Sequence, residues 1–88
     1  MANTASAKKR IRQNEKRRMR NKVWRNRARN TVREARALID SGDREAAENA
    51  TRVAIEQLDK AASKGVIHNK NASRRKSRLM KHLAAMEA

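Results

Sequence analysis

The stretch Trp24-Arg25-Asn26-Arg27-Ala28-Arg29-Asn30-Thr31-Val32-Arg33-Glu34-Ala35-Arg36-Ala37-Leu38-Ile39-Asp40-Ser41-Gly42-Asp43 decides the fold. At about 100° per residue, Trp24, Ala28, Thr31, Val32, Ala35, Leu38 and Ile39 fall within roughly 120° of arc. That is the apolar stripe of a helix packed on something. Arg25, Arg29, Arg33 and Arg36 lie on the other side. Gly42 suits the left-handed residue that ends a helix, and Asp43 suits the N-cap of the next.

Downstream, the pattern repeats twice. From about Arg44 the stripe is Ala47, Ala50, Thr51, Ala54, Leu58 and Ala61, flanked by Val53 and Ile55. Glu45, Glu48, Glu56 and Asp59 occupy the far face. Small residues on such a stripe let a neighbouring helix come close. Gly65 ends this segment. His68 or Asn69 can cap a third helix, whose stripe is Ala72, Leu79, Leu83 and Met86, with the stem of Lys76 along one edge. Lys70, Arg74, Arg78 and Lys81 form a second, basic face. The fold class is all-α. It is a three-helix bundle in one domain, 1–88, with helices over about 5–41, 44–64 and 68–86 in an up-down-up order.

Upstream, the stripe fails. Projected backward it lands on Arg17 and Arg10, while Ile11 and Met19 point elsewhere. A first helix of up to about 36 residues is roughly 54 Å long, too long for its partners, so its basic half projects past the bundle. From about Lys8 to Lys22 it has no apolar face. Charge all round leaves a helix nothing to pack on, and this segment is expected to fray when free and to order against phosphate.

Composition narrows the function. The 88 residues carry 24 Lys and Arg against 9 Asp and Glu, a formal charge of +15. Residues 1–36 hold a net +12, residues 37–62 a net −3 and residues 63–88 a net +6. The two outer segments are basic and the middle one mildly acidic. Twelve excess charges in one helix cost stability unless a polyanion neutralises them. Arg outnumbers Lys by 15 to 9, and the planar guanidinium suits bidentate phosphate contacts.

Other chemistry is excluded. There is no Cys, so disulfides and thiolate metal sites are absent. His68 and His82 stand alone, without the further ligands a metal site needs. No nucleophile, base and orienting group occur together, so an enzyme is not expected. Nor is any cofactor. No apolar run has the length of a membrane span or a signal-peptide core, and the expectation is a soluble intracellular protein. Trp24 is the single aromatic residue and is assigned to the core, so stacking on single-stranded bases is not the mode of recognition. Recognition of backbone and shape remains. A large folded RNA fits best, and a DNA-binding nucleoid protein is the alternative. A membrane-active helix would need the wide apolar faces this chain lacks.

Particular residues now carry a resemblance. Met1-Ala2-Asn3 followed by Ser6-Ala7-Lys8-Lys9-Arg10, and Gly65-Val66-Ile67-His68-Asn69-Lys70-Asn71-Ala72-Ser73-Arg74-Arg75-Lys76-Ser77-Arg78-Leu79, resemble the bacterial small-subunit ribosomal protein S-twenty family. The second stretch is the more specific, and the likeness runs the length of the chain. It departs at Asn69-Lys70, where the family commonly has Lys then Asn, and at Ser73, where it often has Ala. The resemblance implies a structural protein of the cytoplasmic ribosome that supports subunit assembly. It would bind small-subunit ribosomal RNA at the 5′ domain and at the long helix near the 3′ end, with few or no protein partners. The RNA-binding positions would be Lys8, Lys9, Arg10, Arg12, Lys16, Arg17, Arg18, Arg20, Lys22, Arg25, Arg27 and Arg29 on the first helix. His68, Asn69, Lys70, Asn71, Arg74, Arg75, Lys76, Ser77 and Arg78 would serve on the third. Ile67 is expected to plug the core, and His68 to cap the helix, contact RNA, or do both.

Overall fold

The computed structural model describes residues 2–86, and among these the chain forms three helices in order: α1 (Ala2–Ser41), α2 (Arg44–Ser63) and α3 (Asn69–Ala84). The molecule is a rod with a knot at one end, 68 × 21 × 13 Å. A helix of 40 residues is about 60 Å long, so α1 alone accounts for most of the long dimension.

Each helix boundary has a local cause. Gly42 takes φ +86° after α1, a conformation that costs other residues a steric penalty. Asp43 then caps α2, accepting from the Ala46 N–H at 3.2 Å, worth about 1 kcal/mol. At the far end Gly65 has φ +74°. The Gly65 N–H donates to the Ala62 carbonyl and the Val66 N–H to the Ala61 carbonyl, which closes a Schellman motif with Val66 packed into the same cluster as Ala61. His68 caps α3: its Nδ1 accepts from the Lys70 N–H at 3.1 Å.

The buried residues follow the stripes. Ala35, Ile39, Ala47, Ala54 and Leu79 form one cluster; Ala28, Leu58, Ala61 and Val66 form another, and Val32 packs against both. Most of these are Ala, so the helices meet nearly backbone to backbone and little apolar area is available per residue. Among the described residues, Leu58 and Leu79 are the large side chains buried completely. The resulting stability rests on few groups.

Three expectations need correction. α1 begins at Ala2 rather than near residue 5, and α3 ends at Ala84 rather than 86. Met1 lies outside the described residues. The core plug after α2 is chiefly Val66, 7% exposed, with Ile67 only half-buried beside it. Trp24 sits at the edge of its cluster, half-buried, with the Lys64 ammonium 4.8 Å and the Arg27 guanidinium 5.0 Å from its ring centroid. Two cations within about 5 Å of one ring centroid compete with a base for it.

Candidate nucleic-acid interface

Residues 4–20 of α1 are helical and exposed without exception. Lys8, Lys9, Arg10, Arg12, Lys16, Arg17, Arg18, Arg20 and Lys22 surround this half of the helix on all sides, because steps of about 100° distribute them round the axis. Among the described residues none of them enters a salt bridge. The rod is therefore held in shape by its own backbone hydrogen bonds alone, and it presents cations in every direction.

The bundle end is more directional. α3 packs mainly on α2 and meets α1 along a shorter line. Lys76 turns to the α2 side, where its Nζ lies 2.7 Å from Asp59 Oδ1. His82 turns to the α1 side, with Nε2 3.3 Å from Asp40 Oδ1. Between these edges α3 leans away from the middle of α1 and leaves a cleft of about 360 Å³ lined by Arg29, Val32, Arg33, Arg36, Arg75 and Arg78. A second cleft adjoins it toward the α2–α3 connection; it shares Arg29 and Arg75 and is bordered also by Arg25, His68 and Asn71. No acidic residue lines either cleft among the described residues.

The local reason is geometric. Arg25, Arg29, Arg33 and Arg36 fall within about 80° of arc on α1, and they flank its apolar stripe next to Val32 rather than standing opposite it as expected from the sequence. Arg75 and Arg78, three apart on α3, face them from the flank of Leu79. All six are exposed and none is paired with a carboxylate among the described residues. Such an arrangement can hold an anion by bidentate, charge-assisted hydrogen bonds from both walls. His68 contributes from the second cleft. Its Nδ1 is occupied as the cap acceptor, so the neutral ring carries its proton on Nε2 and can donate it to a phosphate oxygen.

The structure thus groups the sequence-predicted residues unevenly. Arg25, Arg29, His68, Asn71, Arg75 and Arg78 come together at the two clefts. Asn69, Lys70, Arg74 and Ser77 are exposed on α3 but outside them. It is Asn71 rather than Asn69 or Lys70 that borders the second cleft, so the transposed pair does not decide its lining. Lys76 is engaged with Asp59, and Arg27 lies over Trp24. Arg33 and Arg36 were not among the expected contacts. Their signal was present in the row begun by Arg25 and Arg29, but nothing in one helix announces that a neighbour will leave that row uncovered.

The family model described as ribosomal protein S20 matches residues 2–84. The chain belongs to that family. Relatives called small ribosomal subunit protein bS20 agree along almost all of it. The one from Thermomicrobium roseum is 51% identical over 98% of this chain and 87% of its own length. The one from Coprothermobacter proteolyticus is 53% identical over 92% of each chain, and that from Cutibacterium acnes 50% identical over the whole of both. The S20 family is a structural protein of the ribosome and not an enzyme, and the role of this member is structural, in the small subunit. No helix of the structure is long and apolar enough to cross a membrane.

Proposed function

We propose that the chain is a clamp for small-subunit ribosomal RNA, holding RNA segments together by neutralising their phosphates and so supporting subunit assembly in the bacterial cytoplasm. The observation that carries this is the split of the basic surface. One part is a projecting rod of α1 that can be surrounded by RNA; the other is the arginine cleft and exposed face of the bundle, which begins at Arg25, within a turn of Lys22, and extends onto α3. The acidic face of α2 meets α3 at one edge, where Asp59 pairs with Lys76. Lys and Arg contacts to phosphate supply affinity without reading sequence, and the fixed angle between rod and bundle supplies register among RNA helices.

The rod pays little heed to any one groove or strand. Its helix gains from phosphate the neutralisation that it cannot obtain from its own residues, so its conformation and its binding are coupled. By resemblance, the segments held are in the 5′ domain and the long helix near the 3′ end. Protein partners are few or none.

A competition at about 0.15 M salt tests the reading, since at low salt any duplex would be bound. Folded small-subunit RNA is expected to displace the protein from bulk duplex DNA at equal phosphate concentration. Equal occupancy of both would favour a DNA-compacting protein and sink the ribosomal reading.

A further inference from the structure

We propose that the cleft between α1 and α3 is a binding site for consecutive phosphates, and that filling it strengthens the attachment of α3 to α1. The proposal rests on the phosphate-binding reading above and deepens it by assigning a discrete site within the basic surface, with Arg33 and Arg36 as members.

Arg29, Arg33 and Arg36 on one wall and Arg75 and Arg78 on the other meet no carboxylate among the described residues. Like charges on two walls push the helices apart, and the electrostatic cost rises as the space between them excludes water. The ties that resist this are modest. Leu79 reaches the cluster containing Ala35 and Ile39, and His82 pairs with Asp40 near the end of α1. An anion inverts the sign of every interaction across the cleft. Repulsion between the walls becomes attraction of both walls to one ligand.

The spacing specifies more than a single anion. Residues four apart on α1 are separated by about 6 Å along its axis, so Arg25, Arg29 and Arg33 form a ladder. Arg75 lies on the boundary of both clefts, and Asn71 and His68 extend the row into the second. A row of donors suits a row of phosphates better than one compact anion. Both an RNA backbone and a linear inorganic oligophosphate have that chemistry.

The test is thermal unfolding of the full chain in tripolyphosphate, with ionic strength held constant by sodium chloride. At ten times its dissociation constant the ligand should raise the unfolding temperature by about 8 °C. Orthophosphate at the same concentration should do much less. The double substitution Arg33→Gln with Arg78→Gln should abolish most of the shift, and in low salt without ligand should melt higher than the unchanged protein. Arg12→Gln with Arg17→Gln, which removes the same charge from the rod, should keep the shift. All four arginines are exposed, so neither variant disturbs the core. Equal shifts in the two variants, or equal shifts from orthophosphate and tripolyphosphate, would overturn the site. A short single-stranded RNA that displaces tripolyphosphate assigns the cleft to RNA backbone. If it fails to displace while the shift persists, the phosphate site stands and its assignment to RNA falls. The preference for ribosomal RNA over DNA is judged separately, by the competition.

Discussion

Replacing the nine Lys and Arg residues between Lys8 and Lys22 by Gln is expected to weaken binding to small-subunit RNA on the order of a hundredfold at physiological salt. Every basic side chain from Lys8 to Arg20 is solvent-exposed. If about half of the nine meet a phosphate, log affinity against log salt becomes shallower by about four, at roughly 0.9 per contact in a duplex. Gln is almost as good a helix former as Lys or Arg, so the loss does not come from a broken helix. Among the described residues of α1 the first buried one is Ala28, and cooperative melting of the bundle should survive. Binding isotherms at several salt concentrations give both quantities. An unchanged slope would mean that the rod is not a principal contact.

Leu58→Ala should have the largest effect on stability. Leu58 is fully buried and joins Ala28, Ala61 and Val66, whose small side chains cannot collapse into the space it leaves. Removing a buried Leu costs about 2–5 kcal/mol. A chain of this length is expected to have a total of about 4–13 kcal/mol. The unfolding temperature, followed by the helical circular dichroism signal, should fall by about 15 °C or more. A fall of only a few degrees would show that the alanine contacts, not the two leucines, hold the bundle. Bound RNA should restore part of the loss, since it stabilises the folded form by mass action.

The three helices were readable because each core stripe repeats with the helical period and each ends at a glycine. Ala35, Ile39, Ala54, Leu58 and Leu79 are all buried where periodicity placed them. Val66 was less readable. It belongs to a turn, where no periodicity operates, and it is buried because the Schellman geometry at Gly65 folds it back on Ala61. Trp24 illustrates another limit: one aromatic residue at the end of a stripe looks like core, but the stripe ends there because the bundle ends there, leaving the ring at the margin beneath Lys64 and Arg27.

The basic residues divide in the same way. The rod was legible, since Lys8 to Lys22 has no apolar face in any register. The cleft was not. Whether Arg33 and Arg36 face solvent or a second arginine row depends on the angle at which α3 crosses α1, and that angle is set by contacts of α3 with α2. Lys76 is the converse. It belongs to a basic run, but the step of about 100° between neighbours turns it to Asp59 while Arg75 turns to the cleft. A run of basic residues in one helix therefore serves two purposes, binding an anion on one side and tying two helices together on the other.

On the proposed reading, rod and bundle hold different segments of RNA. Photocrosslinking from residue 17 on the rod and residue 74 on α3, each replaced singly by a photoreactive side chain and bound to folded small-subunit RNA, distinguishes this from a single site. Two RNA segments far apart in the sequence of the RNA, one from each position, are predicted. Crosslinks from both positions to one segment, or none from residue 17, would contradict it.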